Sequence, residues 1–480
     1  MKRSHKLWIM GGVLALAVIL TVSVFFMDQK LEKIKTSGET ILSIPAESVT
    51  GLSWDHDGET LFFRKDDVWH WEEDEAFPVS ELDFQNMLDP FTHLTAAFRI
   101  EDVEDYSQYG FDAPVCTIGI TTEDASYEIR LGAYSQMDQQ RYVDLGDGNV
   151  YLLFHDPMME FDVGLRDVIQ NDDIPYIKEA DRITFRGQET YRILKSPEGG
   201  KSHRPEDLYF AERNGKLSPL NTSSVADYLQ DLALTGLQNY ETYTASQEDL
   251  SKWGLDAPEL TIQVDYTLQQ EDSETEEQRT YTLSLSRDPE ALKASLEAED
   301  PDSVFVPVYG RVDQSERIYE ISADDYSLVT ACSYDDLRHR EVFPASTQDI
   351  TALEMTLDGN TYAFESAPQE EDETLLQFTY LGNEIDAAPV LTALRSLHAE
   401  EFTEEIPTGQ REISIQALLS SGESVHLELY RKDGTHCIAK VDGEVLSLVP
   451  RSQVVDLMEQ IRSIVLAPAE ETEETQPSLS

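Results

Sequence analysis

Tyr109-Gly110-Phe111-Asp112-Ala113-Pro114 and Trp253-Gly254-Leu255-Asp256-Ala257-Pro258 are two copies of one hexapeptide, and the similarity continues on both sides of them. Outside the hexapeptide, the identical pairs are Asp105 with Asp249, Ser107 with Ser251, Thr117 with Thr261 and Ile118 with Ile262. The chain is therefore built from repeated units. A motif that recurs in each unit indicates scaffold rather than an active site.

The hexapeptide has the composition of a turn that starts a strand. Its glycine can take a positive φ that the aromatic residue before it cannot adopt at low cost. Its alanine precedes proline and is pushed toward extended backbone. Apolar residues then alternate along the chain, as they do in a half-buried strand. These residues are Cys116, Ile118 and Ile120 after the first copy, and Leu260, Ile262 and Val264 after the second. The repeat predicts architecture and names no activity.

Length, charge and cysteine content limit the class of protein. At 480 residues the chain can form about three domains, each with its own core. A net charge of -57 repels nucleic acid, so no nucleic-acid partner is expected. The cysteines are Cys116, Cys332 and Cys437. They are odd in number and far apart, which indicates neither a disulfide framework nor a cysteine metal site.

An apolar segment near the amino terminus predicts a membrane anchor. Residues 7–26 carry no charge, and as a helix they would span about 30 Å of hydrocarbon. Lys2, Arg3 and Lys6 precede the segment, so the positive-inside rule places the amino terminus in the cytoplasm and the bulk of the chain outside the cell membrane. A cleaved secretory signal is the alternative, but no small-x-small cleavage site ends the run. We expect a basic cytoplasmic segment at 1–6, a transmembrane helix at 7–27 and a juxtamembrane linker at 28–43.

Three pairs of a hydrophobic residue and proline each precede a strand pattern, and they divide the rest of the chain. These pairs are Ile44-Pro45, Ile174-Pro175 and Phe343-Pro344. Proline is tolerated at the entrance of a strand, where the ladder has barely begun. The predicted organisation is an α+β repeat unit 1 at 44–173, an α+β repeat unit 2 with acidic insertions at 174–342, a degenerate α+β unit 3 at 343–466, and an acidic disordered tail at 467–480. Unit 3 lacks the Gly-x-Asp-Ala-Pro signature, so it is either a degenerate copy or a different small domain.

Each unit is expected to contain one helix after its first strands and another at its end. The predicted caps of the first of these helices are Ser80 with Asp83 in unit 1 and Ser224 with Asp227 in unit 2. Pro90 should stop or kink the helix of unit 1, which would resume around residues 91–98. The closing helix of unit 1 is expected to contain Phe161, Leu165 and Ile169. Strands are sequential and hairpin turns are frequent. We therefore predict an α+β fold, in which an N-terminal transmembrane helix is followed by tandem units of antiparallel sheet with packed helices.

The residues offer no clear catalytic set. Gly199-Gly200-Lys201-Ser202 resembles the end of a phosphate-binding loop, but Lys195 stands where that pattern needs its first glycine. None of the ten histidines lies at metal-ligand spacing from another, and serine-hydrolase and zinc-protease motifs are absent from the sequence. Asp144-Leu145-Gly146-Asp147-Gly148-Asn149 and Asn171-Asp172-Asp173 are candidate pieces of a calcium site, although a hairpin turn explains the first better. We assign no residue to catalysis, to a cofactor or to a metal.

In combination, these features resemble a bacterial family known as domain of unknown function 4340. The resemblance rests on the N-terminal apolar segment, Trp69 after a Val-x-x-Leu strand, Phe77-Pro78, the first hexapeptide, and Leu131-Gly132 before Tyr142-Val143. It is expected to cover about residues 44 to 345 and to be weak beyond them. Members of that family resemble extracytoplasmic companions of ABC-type transport systems related to those of gliding motility. The resemblance therefore implies a multispanning permease as partner and transfers no catalytic residue.

Two function hypotheses from different classes remain. The first is a non-catalytic, membrane-anchored extracytoplasmic protein that binds or scaffolds, accessory to an ABC-type envelope transport system. The second is an envelope hydrolase of carbohydrate or peptidoglycan, which is supported only by abundant carboxylates and by aromatics expected to be exposed, such as Trp69 and Trp71. A passive cell-wall-binding protein is a further alternative.

Overall fold

The structure is a computed structural model that describes residues 38–466, except 102, 238, 270–275, 331–332 and 369–375. Strands dominate the described residues. In the first third of the chain the strands are β1 (Glu39–Leu42), β2 (Val49–His56), β3 (Glu59–Lys65), β4 (Trp69–Trp71), β5 (Leu94–Ile100), β6 (Cys116–Thr122), β7 (Ser126–Ser135), β8 (Gln140–Asp144) and β9 (Val150–Leu153). In the middle they are β10 (Arg182–Arg186), β11 (Tyr191–Lys195), β12 (Tyr209–Arg213), β13 (Lys216–Pro219), β14 (Tyr240–Thr242), β15 (Leu260–Gln269), β16 (Glu276–Arg287), β17 (Val308–Val312) and β18 (Ile318–Ile321). In the last third they are β19 (Ile350–Leu357), β20 (Asn360–Pro368), β21 (Leu376–Tyr380), β22 (Asn383–Ile385), β23 (Glu401–Phe402), β24 (Arg411–Leu419), β25 (Ser424–Arg431), β26 (His436–Val441) and β27 (Glu444–Pro450).

Helices are few, and most of them are short. Among the described residues they are α1 (Glu81–Thr92), α2 (Met158–Phe161), α3 (Thr222–Ala233), α4 (Gln247–Lys252), α5 (Pro289–Glu297), α6 (Ala323–Thr330), α7 (Ala388–Arg395) and α8 (Arg451–Val465). The predicted α+β class is therefore wrong, because the described chain is mostly β and consists of three nine-stranded antiparallel sheets with these helices added.

The predicted transmembrane helix is not part of the observed fold. Within the described part of the chain no helix is both long enough and apolar enough to cross a membrane. The segment for which this helix was predicted, residues 7–27, lies outside the described residues.

The second and third sheets share one strand order, and the first differs from it at both edges. The orders are β1-β5-β9-β8-β7-β6-β2-β3-β4, β14-β18-β17-β16-β15-β10-β11-β12-β13 and β23-β27-β26-β25-β24-β19-β20-β21-β22. The first sheet has β1 added beside β5 and one strand fewer beyond β2. In each sheet the first long strand pairs with the strand that follows the position of the hexapeptide: β2 with β6, β10 with β15, and β19 with β24. The third sheet lacks the signature in sequence but keeps the topology, which favours a degenerate copy over an unrelated domain.

By its internal contacts the chain forms two compact units. The first comprises the described residues up to Asp173 together with Gly236–Leu250 and Gln314–Glu320. Its core includes Trp54, which has no solvent exposure and stacks on Phe63 with 5.2 Å between the ring centroids. The second comprises Ile174–Thr235, Ser251–Asp313 and the described residues from Ile321 onward. Its core under the third sheet joins α7 and α8 to β19, β24 and β25 through buried Val390, Leu457 and Ile415.

Several predicted helix boundaries are wrong. Helix α1 begins after Ser80, whose Oγ accepts from Asp83 N as expected, but it runs through Pro90 and ends at Thr92. The segment predicted to resume as helix forms strand β5, because Leu94 and Ala96 alternate toward the core. The predicted cap Ser224 lies inside α3, and the cap is Asn221, whose Oδ1 accepts from the N–H groups of Ser223 and Ser224.

The closing helix of the first unit is much shorter than predicted. Only Met158–Phe161 is helical, and Asp162 leaves helical backbone with ψ 52°. Leu165 lies in a short 3-10 turn, and Ile169 forms a β-bridge to Val79. The three apolar residues are buried or half-buried by separate local structures, so their helical spacing is coincidental.

The repeated hexapeptide forms a tight corner against the strand that pairs with its own. Gly110 has φ 85° and Gly254 has φ 72°, both in the left-handed region that glycine tolerates. A Cβ on Gly110 would lie 2.8 Å from the backbone nitrogen of Ala133 in β7. A Cβ on Gly254 would lie 2.6 Å from Oγ of Ser286 in β16. The motif is structural in both copies.

The close approach at Gly110 predicts that a side chain there destabilises the protein, and Gly58 provides a matched control. Gly58 has φ 84°, nearly the φ of Gly110, but a Cβ there meets nothing within 4 Å. Gly58→Ala should therefore cost about 1 kcal/mol of unfolding free energy from backbone strain alone. Gly110→Ala should cost about 1–2 kcal/mol more, because the backbone of β7 must move. Urea unfolding of both variants measures the difference, and equal losses would show that the close approach at Gly110 is unimportant.

Candidate functional site

The second compact unit contains a cleft of about 380 Å³. This volume is within the range of about 300–1,000 Å³ that small-molecule and peptide-side-chain pockets occupy. Five stretches of chain, together with Tyr334, form its walls: strand β13, the loop between β11 and β12, residues 338–344, the turn at Glu423, and residues 441–446. The cleft is lined by both apolar and charged residues, so it offers the two kinds of contact that ligand pockets combine.

Strand β13 lies at the edge of its sheet, and part of its backbone faces away from the sheet. It follows β12 through a two-residue turn, Asn214-Gly215, in which both φ values are positive. Arg213 therefore pairs with Lys216 by hydrogen bonds, and the next bonded pairs are Ala211 with Ser218 and Tyr209 with Leu220.

The alternate residues of β13 direct their backbone groups outward. Leu217 stands opposite Glu212 in a non-hydrogen-bonded pair, so its N–H and C=O point away from β12. Pro219 occupies the next outward position, where its missing N–H costs no ladder bond. Among the hydrogen bonds of the described residues, none engages the N–H or C=O of Leu217. Lys216 to Pro219 line the cleft.

A serine, an aspartate and a histidine meet at the cleft, but in an order that does not activate the serine. The carboxylate of Asp207, with a side chain only 1% exposed, accepts from Ser202 Oγ and lies 2.8 Å from His339 Nε2. A nucleophilic serine needs the histidine as its proton acceptor. Here the aspartate stands between the two, so the arrangement is a buried carboxylate whose two oxygens each have a hydrogen-bond partner.

His203 joins the second unit's loops through two carboxylates. Its Nδ1 lies 3.1 Å from Oε2 of Glu423, and its Nε2 lies 3.2 Å from Oδ2 of Asp442. Both ring nitrogens therefore lie within hydrogen-bonding distance of a carboxylate oxygen. Lys216 and Glu444 make another ion pair beside them at 2.6 Å. These contacts fix the loop between β11 and β12 against the turns of the third sheet.

The remaining cations are arranged around the apolar part of the cleft. The guanidinium of Arg204 is 11% exposed and donates through Nη2 to the carbonyl of Phe343 at 3.0 Å. Its Nη1 is 3.9 Å from Oε2 of Glu341, which is beyond hydrogen-bonding distance. Lys201 is exposed, and among the described residues it has no hydrogen-bond or ion-pair partner. Arg204 and Lys201 therefore retain donors for an incoming acceptor.

The glycine-rich segment has a different role from the one that its sequence suggests. Gly199, with φ 83°, lies in a turn of the loop between β11 and β12, and the chain continues into strand β12. A phosphate-binding loop needs a helix N-terminus at this point. The segment instead supplies Lys201, Ser202 and His203 to the cleft.

Several oxygen atoms of the candidate calcium pieces are engaged within the protein, whereas the buried Asn171 Oδ1 and Asp172 Oδ2 have no hydrogen-bond partner among the described residues. Asp144 is fully buried and paired with Arg130, and its Oδ1 accepts from the N–H of Gly146. Asp147 accepts from Tyr151 Oη at 2.5 Å, and Asp172 accepts from Arg317 at 2.6 Å. Within the described ranges, no group of three or more histidine, cysteine or acidic side chains is arranged to hold a metal ion.

The described cysteines and Trp69 are buried. Cys116 and Cys437 are buried free thiols, while Cys332 lies outside the described residues. Burial raises the pKa of Cys116 to about 11, so its reactive thiolate is disfavoured. Trp69, expected to be an exposed aromatic, is 4% exposed and packs on Phe84, so that expectation is wrong.

Sequence reasoning missed the cleft, although it contained one indication. In a chain with 36 lysines and arginines against 93 acids, Lys201, His203 and Arg204 stand together without an acidic neighbour between them. This local excess of positive charge could have drawn attention to the loop. The partners Glu341, Glu423 and Asp442 are too far away in sequence to be associated with it.

The described residues form three antiparallel β-sheets, with this cleft in the second compact unit. A family profile described as "Domain of unknown function (DUF4340)" matches residues 211–413. The match covers less than half of the chain and supports a relation of this part to that family. It extends into the third sheet and does not include the first, unlike the coverage expected from the sequence. The comparisons with curated proteins and with solved structures found no match.

Proposed function

We propose that this protein is a non-catalytic, extracytoplasmic binding or scaffolding protein at the cell membrane, accessory to an ABC-type envelope transport system. The observation that carries the binding role is the cleft of about 380 Å³, whose wall is an edge strand with unused backbone groups. The neighbouring Ser202 donates to Asp207 instead of to His339, which argues against a hydrolytic serine there.

The location and the partner rest on the sequence. Residues 7–26 are uncharged and follow a basic segment, which supports attachment to the membrane with the bulk of the chain outside. The resemblance noted in the sequence implies a transport companion with a multispanning permease as the partner, while the family profile that matches residues 211–413 names no function. A net charge of -57 argues against nucleic acid as a ligand.

Affinity purification tests the partner. The full chain carries a tag after Ser480 and is isolated from gently solubilised membranes. We expect a multispanning permease to be recovered in stoichiometric amount. An unrelated single-pass membrane protein with the same tag serves as the control. Recovery of the tagged protein alone would contradict the accessory role.

A second measurement tests the location independently of the partner. External protease added to intact cells whose outer layers have been made permeable should degrade the residues after the apolar segment. Protection of the chain until the membrane is lysed would contradict an extracytoplasmic location. Release of the chain from membranes by salt alone would contradict membrane attachment.

A further inference from the structure

One wall of the cleft is an edge strand, β13, which has no neighbouring strand on its outer side. Edge strands with free N–H and C=O groups are templates on which another chain can pair. In β13 these groups belong to Leu217, which lines the cleft, and they point away from β12, as the register from the Asn214-Gly215 turn requires. The backbone of an extended peptide can pair with the N–H and the C=O of Leu217 at once, which a small molecule is not built to do.

The opposite walls suit the side chains of such a peptide. Pro344, Val445 and Leu446 are half-buried and line the cleft, so they can cover an apolar side chain. Successive side chains of a strand point to opposite faces. The side chain next to this apolar one in the peptide would therefore point away from Pro344, Val445 and Leu446. Arg204 Nη1 and Lys201 are donors without a hydrogen-bonded acceptor among the described residues, and they favour an acidic side chain.

We propose that the cleft binds an extended, acidic peptide segment of another protein, which adds as a short strand to β13. The backbone of the peptide pairs with Leu217, an apolar side chain lies against Pro344 and Leu446, and a carboxylate meets Arg204 and Lys201. The inference deepens the proposed binding function by naming the ligand class, and it rests on that function.

The third sheet supplies a matched control for the pairing. Strand β22 is the topological equivalent of β13 and also follows a two-residue turn of positive φ, Leu381-Gly382. Glu384 faces outward there as Leu217 does in β13, because it stands opposite Thr379 in a non-hydrogen-bonded pair. Glu384 does not line the cleft. Leu217→Pro and Glu384→Pro therefore remove the same kind of donor, one inside the cleft and one outside.

The experiment selects a displayed library of random linear peptides on the purified full-length protein and measures the affinity of an enriched peptide. We expect enrichment of peptides that combine β-branched and acidic residues. Leu217→Pro should raise the Kd of the enriched peptide about tenfold, while Glu384→Pro should change it by less than about twofold. Lys201→Glu should weaken binding about fivefold, since it reverses an exposed charge.

A measurement on the wild-type protein keeps the proposal testable if Leu217→Pro fails to fold. The enriched peptide is methylated in turn at each backbone nitrogen, and one position should lose binding about tenfold. No enrichment over the starting library, or affinity indifferent to every methylation, would overturn the proposal. A dimer of the protein that Leu217→Pro dissociates would assign the edge to self-association and also overturn it.

Lipid binding is an outcome that the same variants detect. Association with anionic phospholipid vesicles that is lost in Lys201→Glu but unchanged in Leu217→Pro would assign the cleft to lipid and reject the peptide. Co-purification of a permease without peptide binding would reject the inference and leave the proposed function in place. Peptide binding without co-purification of a permease would support the inference and reject the role as a transport accessory.

Discussion

Trp54→Ala is expected to lower the unfolding free energy of the first compact unit by about 4 kcal/mol. The indole has no solvent exposure and contacts three aromatic rings: Phe63, stacked at 5.2 Å, and Phe84 and Phe161, edge-on at 5.9 and 6.0 Å. Its removal leaves a cavity that the three elements carrying these rings, β3, α1 and α2, cannot close without losing their own contacts. The indole N–H also donates to the carbonyl of Val163 at 2.8 Å, and that acceptor would lose its partner.

Two control variants separate these contributions. Trp54→Phe keeps an aromatic ring but removes the N–H, and it should cost about 1–2 kcal/mol. Trp71→Ala removes the same kind of side chain from the short edge strand β4. The indole of Trp71 is half-buried, and its ring centroid lies 5.6 Å from that of Phe77. It should cost less than half as much as Trp54→Ala. Calorimetric unfolding should be used, because a chain with two compact units can show two transitions. Equal losses for Trp54→Ala and Trp71→Ala would contradict the central position of Trp54.

The strands of this fold were largely predictable, because alternation is a local signal. Cys116, Ile118 and Ile120 are each at most 1% exposed, as their spacing requires. The third sheet keeps the strand order of the second although it lacks the repeated corner. Its buried residues Ile413, Ile415 and Ala417 alternate as Cys116, Ile118 and Ile120 do. Alternation thus determines the sheet more strongly than the hexapeptide does.

Helical content was overestimated for a physical reason. Short apolar runs fit both the helical and the extended period, and the environment decides between them. Leu94 and Ala96 are buried at a spacing of two, and β5 gains a neighbour on each side, β1 and β9. Phe161 and Ile169 are both buried, yet they are held by a helical turn and by a β-bridge. Sequence spacing alone could not distinguish these cases.

The cleft could not have been predicted from the sequence. Its walls come from segments near residues 200, 217, 340 and 440, which meet only after the second compact unit has folded. The sequence indicated that the loop at Lys201 is locally basic, but the meaning of that charge depends on Glu341, Glu423 and Asp442. The outward direction of the Leu217 backbone also depends on the register of a hairpin, which is decided by the Asn214-Gly215 turn.

A second large effect is expected at Glu412, a nearly buried carboxylate in the second compact unit. Two residues of β24, Arg411 and Glu412, occupy one step of the pairing with β25, and this bulge turns the side chain of Glu412 inward. Its Oε1 accepts from Arg431 Nε at 2.6 Å and from Arg451 Nε at 3.0 Å, and the side chain is 6% exposed. Burial would by itself raise the pKa of Glu412, but hydrogen bonds and charge from Arg451 and Arg431 outweigh it and lower the pKa.

The same carboxylate affects the neighbouring thiol. Burial raises the pKa of Cys437 to about 12, and the negative charge of Glu412 contributes to the rise. Arg451 begins helix α8, so the pair also holds that helix at the end of β27. Loss of the charge would affect the helix, the bulge and the strand that carries Arg431.

Glu412→Gln should lower the unfolding free energy of this unit by about 3 kcal/mol at neutral pH, because it leaves two guanidinium groups without a carboxylate. Glu405→Gln is the matched control. Glu405 is 53% exposed and pairs with Lys432 at 2.7 Å, so its loss should cost less than about 0.5 kcal/mol.

The pH dependence of stability gives an independent test of the charge on Glu412. Since the folded-state pKa of Glu412 is lowered, its contribution is present above the unfolded-state value of about 4.3 and is lost as the pH falls through the folded-state value. Urea unfolding between about pH 7 and pH 3 should therefore show a smaller loss of stability for Glu412→Gln than for the wild type, while Glu405→Gln follows the wild type. Parallel curves for the wild type and Glu412→Gln would show that the two arginines do not stabilise a charged Glu412.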